Sequence, residues 1–254
     1  MKRMLTALLC MAMMVTAVTS LGGECGDINL DNNVDILDIV YLINFKYKSG
    51  PVPLCDGMLD IDGNIYETTT IGSQVWMAEN LKVTHYRNGD PIYEVNPLEP
   101  GEWSGLSTGA FIEFDNYSPD YIDNYGLLYN WYAVNDSRNI APAGWHVPTL
   151  AEWQTLIDYL GGSSVAGGKM KEEGTTFWGS PNAGATNESG FTGRPAGTTN
   201  SGEYADIEYH AYFWSATETD FMEAQYTQLQ FSSITTYSST RDKNAGMSIR
   251  CIKD

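Results

Sequence analysis

Oxygen-bearing side chains recur at alternate positions in the stretch DINLDNNVDILD, which covers residues 27–38. Counted from its first aspartate, side-chain oxygens fall at positions one, three, five, nine and twelve, and position seven offers a backbone carbonyl. Alternate oxygens in a tight turn converge on a hard cation, and this spacing is that of a calcium loop. It predicts a Ca²⁺ site with the ligands Asp27, Asn29, Asp31, Asn33, Asp35 and Asp38.

A short helix is needed to hold this loop. Apolar residues follow it at helical spacing from Ile36 to Phe45, and Ser49-Gly50-Pro51 ends the pattern. Asn32 stands at the sharp turn where glycine is usual, and asparagine tolerates left-handed backbone better than most residues. We expect a small EF-hand-like calcium loop and helix. The alternative interpretation is a solvated acidic helix start, which the helix dipole favours.

The acidic stretch resembles a dockerin calcium repeat, whose pattern is Asp-x-Asn-x-Asp-Gly-x-Val-x-x-x-Asp before an apolar helix. The matching residues are Asp27, Asn29, Asp31, Val34 and Asp38. Dockerins normally carry two repeats, but the later stretch CDGMLDIDGNIYE lacks both the spacing and a following helix, so residues 25–55 are predicted to hold one. The resemblance implies docking to a cohesin-like or cell-surface protein in a polysaccharide-degrading assembly.

The N-terminus has the pattern of a bacterial export signal. Lys2 and Arg3 precede an apolar run, residues 4–18, that is too short to span a bilayer, and Val18 and Ser20 offer small residues at cleavage spacing. We therefore predict a signal peptide over residues 1–20 and a secreted protein with no membrane span.

Cysteine positions fit an oxidising compartment. The first of the four cysteines leaves with the signal, and Cys25 and Cys55 bracket the acidic stretch. The disulfide that we predict between them would contribute about 3–4 kcal/mol by the loop-entropy argument. Cys251 remains, and because Met247, Ile249 and Cys251 share one face of a strand, we predict a buried and unreactive thiol.

The charge balance limits the classes of partner. The chain has 14 Lys plus Arg against 32 Asp plus Glu, a net charge of −18, and loss of Lys2 and Arg3 with the signal makes this 12 − 32 = −20. Such a chain repels nucleic acid and anionic lipid headgroups. Cations, neutral glycans and basic proteins are the compatible ligands.

Beyond the hinge Pro51-Val52-Pro53, the pattern predicts an α+β domain with short antiparallel strands, few helices and long loops. A hairpin is expected around Gly72-Ser73, and GLLYNWYAVND predicts a helix or a buried turn. Thr149 and Glu152 form a capping box before a helix that ends at Gly161-Gly162. Residues 161–205 read as a long loop region. The expected C-terminal strands are AYFWSAT, AQYTQLQF, SITTYSS and GMSIRCIK.

Several motifs in this region resemble the major paralogous domain first named in Fibrobacter succinogenes. They are DIDGNIYETTTIGSQVWMAENLKVTHYRNGDPI, YGLLYNWYAVND, PAGWHVPTLAEWQTLIDYLGG, NESGFTGRPAG and FWSATE, and they place the domain at residues 60–254. The resemblance implies a C-type-lectin-like fold, related to that of formylglycine-generating enzymes, in an exported bacterial protein, with no established catalytic residues to transfer. Many members carry a cysteine, paired with the C-terminal one, where this chain has Ala141, so Cys251 would lack that partner.

The sequence lacks the residues that related folds use for their known chemistries. Formylglycine generation needs two reactive cysteines in one site, and only Cys251 falls in this domain. Calcium-dependent lectins use Glu-Pro-Asn or Gln-Pro-Asp, but Ser180-Pro181-Asn182 lacks the carboxylate, and no Asn-Asp follows Trp214. His85, His146 and His210 have no zinc-ligand spacing, so we interpret them as structural.

Aromatic side chains could stack on sugars. Those in regular motifs are expected in the core: Trp76, Trp131, Trp145, Trp153 and Trp214. Trp103, Trp178 and Tyr204 lie in loops and are the candidates for an exposed glycan-binding surface. The sequence favours a secreted, non-catalytic binding or interaction protein. The alternatives are an enzyme or enzyme accessory in polysaccharide degradation, and a purely structural envelope protein.

Overall fold

The computed structural model describes residues 58–96, 100–113, 121–200 and 202–254. The chain divides into two compact units, Met1–Leu59 and Asp60–Asp254. The export signal, the calcium loop with its six ligands and the Cys25–Cys55 disulfide lie outside the described residues and stay predictions. Within the described ranges, no helix is long and apolar enough to cross a membrane.

Short strands dominate the regular structure of the described residues. They are β1 (Met58–Leu59), β2 (Ile65–Tyr66), β3 (Thr68–Ile71), β4 (Gln74–Met77), β5 (Tyr93–Glu94), β6 (Ala110–Ile112), β7 (Leu128–Tyr129), β8 (Trp145–His146), β9 (Thr198–Asn200), β10 (Glu203–Ala205), β11 (His210–Glu218), β12 (Glu223–Gln230), β13 (Tyr237–Asp242) and β14 (Ile252–Lys253). The helices are α1 (Tyr121–Tyr125), α2 (Trp131–Val134), α3 (Leu150–Tyr159), α4 (Ser163–Met170) and a 3-10 helix, Pro100–Gly105.

The Asp60–Asp254 unit is built from small, mostly antiparallel sheets. The C-terminal strand β14 lies between β4 and β8, and Ile252 pairs with Trp76 on one side and His146 on the other. Strands β11, β12 and β13 form a second antiparallel sheet, and β6 pairs parallel to β5 and antiparallel to β7. Strand β9 pairs antiparallel with β10. Short helices accompany these sheets, so the predicted α+β class is confirmed.

The predicted hairpin is present between β3 and β4. Ile71 pairs with Gln74, which leaves Gly72 and Ser73 as the two-residue turn, and Gly72 has φ +65°. A Cβ there would lie 2.9 Å from the Tyr159 ring, so the turn requires glycine for its conformation and for its contact with α3. The absence of a side chain at Gly72 therefore lets the hairpin pack closely against this helix.

Helix α3 begins with the predicted capping box. The Thr149 hydroxyl accepts a hydrogen bond from the Glu152 amide at 3.3 Å, and the Glu152 carboxylate accepts one from the Thr149 amide at 2.8 Å. Two backbone donors at the helix start are thereby satisfied. The helix ends before Gly161, which has φ +102°. Both predicted ends are confirmed.

Helix α4, Ser163–Met170, was expected to be a loop because glycines interrupt its sequence. Gly167 and Gly168 lie inside it, and these glycines allow neighbouring backbone to approach closely. A Cβ at Gly167 would lie 2.7 Å from the Thr235 carbonyl oxygen, and one at Gly168 would lie 2.5 Å from that of Gly184. Tertiary packing therefore outweighs the low helix propensity of glycine.

Aromatic rings fill the main core. The centroids of Trp76 and Trp153 are 4.8 Å apart, and Phe191 lies 5.8 Å from Trp153 and 5.5 Å from Phe213. Each such buried ring contributes roughly 1.5–3 kcal/mol. The tryptophans expected in the core are all buried: Trp76, Trp131, Trp145, Trp153 and Trp214.

The C-terminal segment is buried on both faces. Met247, Ile249 and Cys251 are buried as predicted, but Ser248 and Arg250 between them are buried as well. Burial raises the pKa of the Cys251 thiol far above its ordinary value, so the thiol stays protonated and unreactive. Only Ile252 and Lys253 are in a strand, whereas the sequence predicted a longer one.

One strand boundary also differs from expectation, whereas a helix expected in GLLYNWYAVND is present. The strand predicted at SITTYSS begins later, at Tyr237, and continues to Asp242. The GLLYNWYAVND stretch contains strand β7 and then helix α2, whose start is capped by the Asn130 side chain.

Candidate functional site

A polar cleft opens on the Asp60–Asp254 unit where five segments meet. It lies between the residue after β2, the residues after β4, the end of α1, the loop around residue 193 and the residue before Cys251. Its lining is Glu67, Ala78, Glu79, Asn80, Lys82, Asp123, Asn124, Gly126, Thr192, Arg194 and Arg250. We call this set the polar cleft.

Arg250 forms the floor of the polar cleft and is fully buried. Its Nε donates to Asn80 Oδ1 at 2.7 Å, and its NH2 donates to the Thr192 carbonyl at 2.9 Å. Its NH1 donates to the Met77 carbonyl at 3.0 Å and to the Phe191 carbonyl at 2.5 Å. Burial lowers the pKa of Arg250 to about 9. One guanidinium thus joins β4, the loop at residues 191–192 and the C-terminal segment.

Asn80 and Gly126 line another side of the polar cleft. The Asn80 amide donates to the Tyr125 carbonyl at 2.8 Å and to the Ser248 hydroxyl at 3.2 Å. Gly126 has φ +72°, and a Cβ there would lie 2.7 Å from the Asn80 Cβ. Because α1 ends in this left-handed glycine against Asn80, the helix end is fixed beside the cleft.

Thr192 has a strained backbone at the edge of the polar cleft. Its φ of +51° is a rare value for a β-branched residue. Its amide donates to Asn187 Oδ1 at 2.8 Å, its hydroxyl accepts from Asn187 Nδ2 at 3.0 Å, and its carbonyl accepts from Arg250. Such strain costs about 1–3 kcal/mol and persists where surrounding bonds over-determine it, often at functional sites.

Two of the lining residues, Arg194 and Lys82, form ion pairs, and an aromatic pair lies next to Arg194. Arg194 binds Glu172 with two bonds, Nε to Oε2 at 2.6 Å and NH2 to Oε1 at 3.1 Å. Its guanidinium lies 4.1 Å from the centroid of the half-buried Phe177 ring, which meets Tyr125 edge-on at 5.7 Å. Nearby, Lys82 pairs with Asp123 at 2.8 Å.

The lining has balanced charge. Three cations, Lys82, Arg194 and Arg250, face three carboxylates, Glu67, Glu79 and Asp123. A net charge of 3 − 3 = 0 favours a neutral ligand over an ion. Cationic donors and carboxylate acceptors are both present in this lining, and hydroxyl groups can bond with either.

The aromatic residues predicted to be exposed are mostly buried, so that expectation was wrong for both tryptophans. Trp103 donates its Nε1 hydrogen to the Asn244 carbonyl, and Trp178 donates to the Gly193 carbonyl at 2.9 Å. Tyr204 is half-buried, and its hydroxyl donates to the Glu113 carbonyl at 2.5 Å. Trp103 lies in the 3-10 helix, Tyr204 lies in β10 and Trp178 lies in a loop, and none of the three lines the polar cleft.

The sequence did not single out the cleft residues. One signal was present: Arg250 alternates with the apolar residues of the last segment, on a face that proved buried. A cation in a segment that is expected to be buried indicates a polar site better than an aromatic residue in a loop does. The reason is that a buried cation needs several hydrogen-bond partners.

The turn DIDGN uses its carboxylates for protein donors. Asp60 accepts from the amides of Asp62 and Asn64 at 2.9 Å each and from the Tyr66 hydroxyl at 2.7 Å. Asp62 accepts from the Thr84 amide at 2.5 Å. Among the described residues, no cluster of three or more His, Cys, Asp or Glu side chains is arranged for a metal.

The three histidines are each close to a carboxylate. His85 Nδ1 lies 2.6 Å from Asp62, and His210 Nδ1 lies 3.5 Å from Asp206. His146 lies between two acids, with Nε2 2.9 Å from Glu152 and Nδ1 2.7 Å from Asp254. This pairing supports the structural interpretation of the histidines.

We expect His146 to make stability depend on pH. Burial opposes a charge on the ring, but the bonds to Asp254 and Glu152 outweigh it and raise the pKa of His146 above 6.5. A raised pKa gives stability that is complete below the unfolded value and lost as pH rises through the folded one. The free energy of unfolding should fall by about 0.5 kcal/mol from pH 6 to 8.5, since the ring is partly exposed.

Denaturant titrations of the wild-type protein and of His146→Gln at both pH values measure this change. The variant should lack that part of the pH dependence. Equal slopes in the two proteins would contradict the prediction.

Comparison with known proteins identifies the domain. Residues 69–253 match the Fibrobacter succinogenes major domain family, so the chain belongs to this family and the predicted membership is confirmed. No curated protein and no solved structure matches the chain.

Proposed function

We propose that this chain is an exported, non-catalytic binding protein whose major domain holds a neutral glycan in the polar cleft. The balanced charge of the cleft carries the proposal, because three cations and three carboxylates around one opening suit a ligand rich in hydroxyl groups. The half-buried Phe177 ring is not part of the cleft lining, but it contacts the lining residue Arg194 and would offer a neighbouring apolar surface for the C–H face of a sugar.

We further infer a C-type-lectin-like fold in which sugar binding does not use calcium. In the triplet Ser180-Pro181-Asn182, the Asn182 amide donates to the carbonyls of Glu172 at 2.9 Å and Gly174 at 2.6 Å. The Asn182 side chain is buried, and its amide bonds backbone carbonyls of its own loop. Glycan binding should therefore persist in a chelator.

A glycan array followed by titration calorimetry tests the cleft. Asp123→Asn removes an exposed carboxylate acceptor beside Lys82, and we expect at least a tenfold loss of affinity, the usual worth of a charged hydrogen bond. Asp158→Asn is the matched control, since Asp158 is exposed on α3 and bonds Gln154. Unchanged affinity in Asp123→Asn would place the ligand elsewhere. Polysaccharide turnover by the pure protein, abolished by one carboxylate substitution, would overturn the non-catalytic assignment.

The single dockerin-like repeat, residues 25–55, would tether the protein to a cohesin-like or cell-surface partner. Calcium should neutralise its clustered acids and stabilise the repeat by about 2.7 kcal/mol at one hundred times the dissociation constant. Scanning calorimetry with and without Ca²⁺ measures this shift, and Asp31→Asn should abolish it. Equal transitions in calcium and chelator would count against the site.

A further inference from the structure

β13 is an edge strand with one side open among the described residues. β12 bonds one side of it, from Gln228 opposite Tyr237 to Glu223 opposite Asp242. The backbone groups of Ser238 and Thr240 face away from β12, and no backbone bond from the described parts of the chain reaches them. At the end of the strand, the Asp242 carbonyl accepts from the Ala245 amide. The far edge of this sheet, by contrast, is covered where the Trp214 amide donates to the Ser248 carbonyl at 3.0 Å. Unpaired edge groups are a template for another strand.

The open edge lacks the usual protection against pairing. Tyr237, Ser238 and Ser239 are exposed, and the strand YSSTRD contains no proline and no lysine. Its two charges lie together at the C-terminal end, and Ser and Thr occupy its centre. Cross-strand pairs of Ser and Thr are favourable in antiparallel sheets.

Exposed apolar side chains lie at both ends of this edge. Beside Asp242, the turn between β11 and β12 carries Phe221, which is 83% exposed, and Met222, which is 50% exposed. At the other end, Tyr237 is 44% exposed and Ile234 is 41% exposed. These ends are about 17 Å apart along a six-residue strand. Within one copy they therefore cannot cover each other.

Hydrogen bonds restrain the backbone of the turn that carries Phe221. Asp220 Oδ1 accepts from the amides of Met222 at 2.8 Å and Glu223 at 2.9 Å. The amide of the buried Lys243 donates to the Met222 carbonyl at 2.9 Å. A fixed turn loses little conformational freedom on binding, so its exposed ring is suited to a contact.

We propose that β13 pairs antiparallel with β13 of a second copy of this chain, about a two-fold axis at Ser239, so that Ser238 of each copy bonds Thr240 of the other. Antiparallel pairing brings opposite ends together, so Phe221 and Met222 of each copy meet Tyr237 and Ile234 of the other. The surface is then self-complementary, as a two-fold dimer requires. A peptide added to this edge would cover the strand but would leave the apolar ends unmatched.

Sedimentation velocity of the chain without its predicted export signal tests the dimer, with loadings from about 1 to 200 µM. We expect a concentration-dependent shift to the dimer mass that strengthens with salt, because two acidic copies repel and salt screens them. Ser239→Lys should weaken dimerisation at least tenfold. Thr70→Lys, on the exposed edge strand β3, is the matched control and should leave it unchanged.

A double-mutant cycle tests the arrangement. Phe221→Ser and Tyr237→Ser should each weaken the dimer, and their combined effect should be several-fold smaller than the product of the two, since each variant removes the same contact. Circular dichroism verifies folding of each variant. A monomer at every loading, a dimer broken by Thr70→Lys, or independent effects of Phe221 and Tyr237 would each overturn the proposal.

Discussion

Replacing Lys171 with methionine should lower the free energy of unfolding by about 3 kcal/mol, because it leaves several buried acceptors without a donor. Lys171 is fully buried, and its Nζ donates to the carbonyls of Ala183, Gln230 and Ser233 at 2.9 Å each. Burial lowers the pKa of Lys171 to about 8, so at pH 7 the group is an ammonium with three hydrogens for three carbonyls. It joins the 180s loop to the end of β12.

Lys169→Met is the matched control, since Lys169 lies in the last turn of α4 and Lys171 directly follows that helix. Lys169 is partly exposed and pairs with Glu188 at 2.8 Å, so its loss should cost less than about 1 kcal/mol. Urea titrations at pH 7 measure both variants. If Lys171→Met were as stable as Lys169→Met, the three carbonyls would have found other donors, and the role assigned to the ammonium would be wrong.

Local patterns predicted the local structure well. The capping box at Thr149 and the Gly72 turn involve residues that are neighbours in sequence, so their chemistry is visible without the fold. Helix α4 was missed because its glycines serve contacts with Thr235 and Gly184, which no local pattern reveals. Tertiary packing also explains why the exposure predicted for Trp103 and Trp178 was wrong. Both were expected in loops and therefore exposed, but contacts with distant parts of the chain bury both rings.

The family could be predicted from the sequence, whereas the polar cleft could not. The motifs of the family occur in order along the chain, and the match over residues 69–253 confirms them. The cleft, by contrast, joins Asn80, Gly126, Thr192 and Arg250, which only the folded chain brings together. Buried cations are also hard to predict, because Lys and Arg are almost never fully buried without partners, and all but one of their partners here are backbone carbonyls.

Arg250→Lys should be the most damaging conservative substitution in the polar cleft, with a loss of about 3 kcal/mol of stability, because lysine cannot reproduce the planar fork. The guanidinium bonds four acceptors in four directions, from Asn80 on one side to the Met77, Phe191 and Thr192 carbonyls on the other. An ammonium has only three hydrogens, at one point. Arg138→Lys, which changes a partly exposed pair with Asp136, should cost less than about 1 kcal/mol.

The effect of Arg250→Lys should extend to the backbone of Thr192. Its left-handed backbone is held by Asn187 on one side and by Arg250 on the other, so loss of the Arg250 bond removes half of that restraint. Amide hydrogen exchange in residues 187–194 should therefore accelerate in Arg250→Lys, under conditions where the rest of the core stays protected. Uniform acceleration across the domain would show instead that Arg250 contributes only to global stability. Unchanged exchange would show that Thr192 keeps its strained conformation without the guanidinium.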